Sequence, residues 1–329
     1  MKLVVIIPCL NEERTIADVI AAIPPERDMV DEIETIVVDD GSIDGTAECA
    51  RSAGARVVSH PVNMGVGAAF QTGITCALRA GADVVVNMDG DGQFNPADIP
   101  QLLAPILKDE ADFVTASRFL DPELEPDMPR VKKWGNHRIA QLVSVLVGQR
   151  FRDVSCGYRA YSREAAMRLT LFGSFTYTQE TFLDLAFKGM RIKEIPVRVR
   201  GVREFGQSRV ASNLWRYALN TSKIIFRTFR DYRPMTFFSA VAALFFFVAM
   251  AHGLFFVGHY LATGVFWPHK WAGMVAAFFA AMAVIALVTG LLADMLDRIR
   301  RNQEELLYLA RCRSYGNRDA RPTTPTTAR

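Results

Sequence analysis

Residues 84–93, Val-Val-Val-Asn-Met-Asp-Gly-Asp-Gly-Gln, join an apolar β-branched run to two carboxylates separated by one glycine. Such a run is hydrophobic on both faces of a strand, which fits a parallel strand covered by helices above and below. The carboxyl ends of strands in an open α/β sheet are where ligands bind. Asp89 and Asp91 leave that end pointing the same way and offer hard oxygens to Mg2+ or Mn2+ shared with a substrate diphosphate. Gly90 and Gly92 are expected to let the backbone approach that ligand closely, and Gln93 to add a neutral oxygen. An ordinary acidic turn is the alternative, because Asp-Gly is common turn chemistry. The rest of the chain decides between the two.

The first ~120 residues alternate strand and helix signals, the signature of a mostly parallel sheet covered on both faces. Strands are expected near 2–8, 33–38, 55–59, 83–88 and 112–116, with helices near 12–23, 44–53, 64–80 and 96–108. Asp44 can cap the second helix and Gly54 follows it; Asn95-Pro96 reads as a cap with a first-turn proline. Residues 118–135 are polar and proline-bearing and read as a mobile loop. Helices near 136–148, 163–170 and 177–188 follow, then a strand near 192–200.

Half of the chain is apolar, and the excess is concentrated. Residues 235–262 and 272–293 contain no Asp, Glu, Lys or Arg, and each exceeds the roughly 20 residues needed to cross a bilayer. Residues 215–234 carry Arg216, Lys223, Arg227, Arg230 and Arg233; residues 294–313 carry Arg298, Arg300, Arg301, Arg311 and Arg313; the connection 263–271 carries only Lys270. The positive-inside bias therefore puts both flanks in the cytoplasm and the hairpin tip outside. Residues 212–230 have the pattern of an amphipathic helix lying in the headgroup plane. The expected organisation is a cytoplasmic catalytic domain at 1–210, a juxtamembrane helix at 211–234, a transmembrane hairpin at 235–293, and a cytoplasmic helix with a disordered tail at 294–329. This describes an integral protein of the cell membrane with its C-terminus in the cytoplasm. The net charge of +3 is modest, and no basic tract calls for nucleic acid. Five scattered cysteines, with no C-x-x-C pair, suit a reducing compartment and argue against a disulfide framework or zinc site.

More acids gather at the strand ends. The first strand runs into Pro8-Cys9-Leu10-Asn11-Glu12-Glu13 and the second into Val38-Asp39-Asp40-Gly41-Ser42-Ile43-Asp44-Gly45-Thr46. With Asp89 and Asp91 they converge on one sheet edge, where like charges need a metal or hydrogen-bond donors. Asp39 is suited to accept from a base N–H or a ribose hydroxyl, with a helix-capping turn as the alternative. Asn63-Met-Gly65-Val-Gly67 is not a dinucleotide fingerprint, since Phe70 stands at the third glycine position.

In order, IIPCLNEE, VVDDGSIDGT, HPVNMGVGAAF, NMDGDGQ and DVSCGYRAYS resemble the family 2 glycosyltransferases of GT-A fold over about 200 residues. The chain is most similar to the dolichyl-phosphate mannose synthases and the bacterial polyprenyl-phosphate glycosyltransferases with two C-terminal spans. Arg203-Glu-Phe-Gly-Gln-Ser208-Arg209 resembles their segment before the membrane helices. The resemblance implies a nucleotide-sugar site at Pro8, Leu10, Glu12, Val37, Asp39, Met88, Asp89, Gly90, Asp91 and Arg203. It implies a Mg2+ or Mn2+ site at Asp91 and Gln93, and catalytic roles for Asp89, Asp91 and Arg118. Arg118, Arg130, Lys133 and Arg159 are the candidates for the acceptor phosphate, with ordinary ion pairs as their alternative. Two departures keep the resemblance from extending to mannose and GDP. Tyr177-Thr-Gln-Glu180 stands where those synthases carry a lysine, and Trp134 stands where a serine follows their acceptor-loop arginine.

The implied reaction moves a sugar from a UDP- or GDP-linked donor to a polyprenyl or dolichyl phosphate, with inversion. Membrane lipid is a further expected partner, and a homo-oligomer is left open. A processive polysaccharide synthase is the rival. It would need a general base for a sugar hydroxyl, such as Glu180, but no Q-x-x-R-W segment is present: Gln149 leads to Arg152-Asp153. A non-catalytic membrane scaffold is the third reading, and intact Asp39, Asp89, Asp91 and Gln93 argue against it.

Overall fold

Val4 and Ile6 of the first strand face one apolar cluster, while Leu3, Val5, Ile7 and Cys9 face another. That period-two division, with both faces dry, is what a covered sheet requires. The computed structural model describes residues 1–25, 30–171, 177–200, 223, 226–227 and 229–316. Its strands are β1 (Lys2–Cys9), β2 (Glu32–Asp39), β3 (Arg56–Ser59), β4 (Val84–Asn87), β5 (Phe113–Ser117), β6 (Arg159–Ser162) and β7 (Ile192–Pro196), in the order β3-β2-β1-β4-β6-β5-β7. Only β6 runs antiparallel to its neighbours.

Helices α1 (Ile16–Ala21), α2 (Thr46–Ser52) and α4 (Ile99–Leu107) cover one face. Helices α3 (Val66–Arg79), α5 (Arg130–Val147), α6 (Arg163–Arg168) and α7 (Thr178–Phe187) cover the other. Local chemistry sets several ends. Asp44 accepts from the Thr46 amide at the start of α2 at 3.1 Å, and Asn95 accepts from the Ala97 amide at 3.2 Å. The Ser162 hydroxyl accepts from the Ala165 amide at 3.1 Å and starts α6 directly after β6. The sequence pattern missed β6, whose four residues lie inside the DVSCGYRAYS motif. The expected loop at 118–135 is shorter than anticipated, because α5 already begins at Arg130.

Among the described residues two helices are long and apolar enough to span a bilayer: α8 (Pro234–Thr263) and α9 (Lys270–Tyr315). They contain the expected spans, and the charged stretch after 294 continues α9 without a break. Large apolar residues such as Leu244, Phe247, Leu254 and Leu291 are exposed, while Ala242, Ala249, Ala283 and Ala286 are buried. Gly253 of α8 faces Ala276 of α9. Small residues between helices with bulky ones outside is the pattern of packing in lipid.

The chain divides into two units, one of Met1–Ile225 with Leu306–Arg329 and one of Phe226–Glu305. The end of α9 thus belongs with the sheet. Most of the expected amphipathic helix at 212–230, the 203–209 segment and the tail from 317 lie outside the described residues.

Candidate active site

The parallel register sets Cys9 opposite Asp39 and Ile6 opposite Asn87, so β1, β2 and β4 end on the same edge. The acids that follow them meet around Cys9. Its thiol is pushed well above its ordinary pKa, first by burial and then by Glu12, Asp89, Asp39 and Asp91. This convergence was legible from the strand ends alone. Asp39 is buried and accepts from the Ser42 amide at 3.0 Å. Its neighbour Asp40 has a different task. It accepts from the Met64 and Gly65 amides at 2.9 and 2.8 Å and meets His60 Nδ1 at 2.7 Å, which fixes the turn entering α3.

Asp89 is half-buried and Asp91 buried. An Asp91 oxygen accepts from the Gln93 amide at 3.0 Å, and Gln93 Nε2 donates to the Arg200 carbonyl at 2.8 Å, leaving the Gln93 carboxamide oxygen as the acceptor end. Among the described residues no three His, Cys, Asp or Glu side chains are arranged to hold a metal ion by themselves. Two carboxylates and a carboxamide are hard oxygens, too few to close a coordination shell. They would fit a Mg2+ or Mn2+ ion whose remaining ligands came from substrate and water.

A Cβ on Gly90 would lie 2.5 Å from Cys9 Sγ, so packing against β1 requires glycine here. Gly92 has φ +72°, a left-handed conformation that favours glycine. Val37 and Met88 are fully buried in the core, so their side chains are closed to a ligand. Pro8 is likewise buried, Leu10 and Glu12 are half-buried, and Arg203 lies outside the described residues.

The acceptor-side arginines separate. Arg118 is clamped to buried Asp153, Nε to Oδ2 at 2.6 Å and Nη2 to Oδ1 at 2.9 Å, and also donates to Ser155. Burial pulls the Asp153 pKa upward, but Arg118 outweighs it and holds the carboxyl below its ordinary value. Arg159 requires a correction. It is fully buried and donates to the carbonyls of Cys156, Thr178 and Val154, with Phe182 4.9 Å from its guanidinium. It is a core cation that satisfies main chain and does not reach an acceptor. Arg130 and Lys133 stand exposed on the first turn of α5 beside exposed Val131 and Trp134, with Lys133 paired to Glu125. Glu180 lies in the first turn of α7.

Sequence reasoning missed the wall behind Asp89. Asn87 Nδ2 donates to the Gly157 carbonyl and to the Tyr177 hydroxyl, each at 2.7 Å. A Cβ on Gly157 would lie 3.3 Å from both Asp89 carboxylate oxygens and 3.1 Å from the Tyr177 hydroxyl. Tyr177 stacks on Phe70 at 4.1 Å. Gly157 stood inside a noted motif, but no local signal pairs Asn87 with a tyrosine ninety positions away.

Among the described residues, one antiparallel strand in an otherwise parallel seven-stranded sheet, with Asp39, Asp89 and Asp91 gathered at one edge, is the architecture of a glycosyltransferase of GT-A class. Residues 4–170, just over half of the chain, match the profile of glycosyl transferase family 2, and the chain belongs to that family. It is 32% identical over 213 residues to the UDP-N-acetylglucosamine–dolichyl-phosphate N-acetylglucosaminyltransferase of Methanococcus voltae, covering 59% of this chain and 83% of that one. It is 29% identical over 223 residues to the undecaprenyl-phosphate mannosyltransferase of Micrococcus luteus, covering 65% and 89%. Among solved structures it is similar to glucosyl-3-phosphoglycerate synthase of Mycobacterium tuberculosis in complex with Mn2+, UDP-glucose and phosphoglyceric acid. That match has 26% identity and a TM-score of 0.55, over 69% of this chain and 79% of that one.

Proposed function

We propose that this glycosyltransferase moves a sugar from a UDP- or GDP-linked donor to a polyprenyl or dolichyl phosphate at the cytoplasmic face of the membrane, inverting the anomeric centre. The observation that carries the reading is the acidic edge of Asp39, Asp89 and Asp91 in a chain that also has two helices of membrane-spanning length. The Methanococcus and Micrococcus relatives, named for dolichyl and undecaprenyl phosphate, support the acceptor class. The exposed mixture of Arg130, Val131, Lys133 and Trp134 suits an acceptor that is at once anionic and lipid-linked.

Asp39 and Glu12 hold the nucleoside, and Asp89 faces the donor diphosphate. Asp91 and Gln93 hold the divalent cation, which when bound neutralises charge on the departing diphosphate. The acceptor is a phosphate monoester whose second pKa is about 6, by analogy with phosphoserine. It is already ionised at neutral pH, so the protein's task is alignment. Arg130 and Lys133 serve as cations that orient the phosphate without protonating it. No carboxylate base is needed, and Glu180 has no required role in this scheme.

The test is a panel of UDP- and GDP-sugars offered to membranes with undecaprenyl or dolichyl phosphate, with mass analysis of the lipid product. 3-Phosphoglycerate serves as the soluble competitor acceptor. A glycosylated lipid phosphate is expected, with activity falling as the lipid phosphate protonates. Robust transfer to a sugar hydroxyl together with an inactive, folded Glu180→Gln would favour a polysaccharide synthase instead. Transfer to phosphoglycerate alone would assign a soluble acceptor.

A further inference from the structure

The last turns of α9 are built into the catalytic unit. Tyr308 is 5% exposed and lies in the apolar cluster formed with α3, α5, α6 and α7. Its hydroxyl donates to Glu164 at 2.6 Å, and the Arg168 guanidinium stands 4.0 Å over its ring. Arg311 donates to the carbonyls of Met167 and Leu169, both at 2.7 Å. These are terminal carbonyls of α6 that lack intrahelical partners. Arg163 donates to the Tyr315 carbonyl at 2.7 Å, and Cys312 packs on the same cluster.

Helix α6 has six residues, too few to hold its place without tertiary partners. It is tied onward to α7. Lys188 donates to the Arg168 carbonyl at 2.6 Å, and buried Asp184 accepts from the Thr170 amide at 3.1 Å and pairs with Lys188 at 2.8 Å. The other end of α7 is at the site. The Thr178 carbonyl accepts from Arg159, and Tyr177, the residue before α7, accepts from Asn87 beside Asp89.

We propose that Tyr308 and Arg311 are positioning residues of the transferase: they fix α6 and, through α7, hold Tyr177 and its wall against Asp89. The inference rests on Asp89 facing the donor. Displacement of a supporting group by an ångström is enough to cost up to a hundredfold in rate, so a clasp remote from the chemistry has a kinetic signature.

The experiment uses the full chain and compares Arg311→Ala, Arg311→Lys, Tyr308→Phe and Tyr177→Phe, with exposed Arg313→Ala as the control on the same helix end. Folded fraction is measured alongside kcat. Arg311→Ala and Tyr177→Phe are each expected to lower kcat about tenfold. Their double variant should fall no further than the worse single, because both act on one element. Arg311→Lys should recover part of the loss, and Arg313→Ala should be unchanged. Wild-type kcat in folded Arg311→Ala, or losses that multiply in the double variant, would overturn the clasp. Should Arg311→Ala not fold, Tyr308→Phe, which keeps the buried ring, replaces it in the same cycle under the same criteria. Asp89→Asn separates the two claims. If it is fully active, the reading of Asp89 has failed; if it is inactive while Arg311→Ala and Tyr308→Phe match wild type, only the clasp has.

Discussion

Gly90 is a glycine that the packing of a distant neighbour requires. The atom a Cβ would strike is Cys9 Sγ at 2.5 Å, whereas Ile16 and Ile7 stand at ordinary contact distance of 3.4 Å. Gly90→Ala is therefore expected to cost about 1–3 kcal/mol by overpacking. Cys9→Ala in the same chain should return most of it, because the clashing sulfur is gone. Thermal unfolding of the single and double variants checks this, and failure of the second change to rescue would place the strain elsewhere. Arg118 is a second case. Its role toward an acceptor cannot be separated from its pairing with Asp153, because removing one member of a buried pair costs about 3–5 kcal/mol. The lowered pKa of Asp153 gives the pair a pH signature. Its stabilisation is complete above the ordinary carboxylate value near 4 and is lost as pH falls through the lower folded value. Arg118→Ala should thus be destabilised at neutral pH and show a flatter acid limb by circular dichroism. An unchanged acid limb would remove the pair from the stability balance. The acids themselves were legible, since a parallel sheet sends consecutive strand ends to one edge. The fate of Gly90, Asp153 and Arg159 was not, because each is decided by a partner distant in sequence.

At the scale of elements, the loop after β4 concentrates the chemistry. Asp91 accepts from the amide of Gln93, and Gln93 is held by main chain at Arg200. The loop is thus shaped before any cation arrives, and a preorganised site loses less on binding. Asp91→Asn keeps a side-chain acceptor for the Gln93 amide but removes a charge. It should lower activity by about 100-fold or more while leaving the unfolding midpoint within a few degrees. EDTA should abolish transfer by the wild-type protein, with recovery on adding Mg2+ or Mn2+; full activity in EDTA would end the metal assignment. Long periodic elements were readable: β1, β2, α3 and α4 fall near their expected spans. β6 was hidden because four residues carry too little periodicity, and α5 began earlier than expected because its first turns, Arg130–Gly135, stand off the core cluster, which the helix first meets at Ile139 and Ala140.

The whole molecule is constrained by the end of α9. Residues 1–200 and 306–316 share one apolar cluster and several hydrogen bonds between groups more than 140 positions apart. No sequence pattern announced this, since Leu306–Tyr315 reads as an ordinary charged helix. Two segments joined through a common core cannot lie on opposite sides of a bilayer, so the chain between them crosses an even number of times. Two spanning helices satisfy that condition, and one does not. The excess of Lys and Arg flanking both spans supports the proposal that the shared side is the cytoplasm. In a cysteine-free background that retains activity, a single cysteine is introduced at Val265 between the spans, or at exposed Ser314 near the end of α9. An impermeant maleimide added to intact cells should label Val265→Cys and leave Ser314→Cys untouched until the membrane is permeabilised. Labelling of Ser314→Cys alone from outside would invert the orientation while preserving the shared core. Protection of a cysteine at an exposed catalytic-domain position such as Ile43 alongside external labelling at 314 would mean a single crossing, and would be incompatible with the docked end of α9.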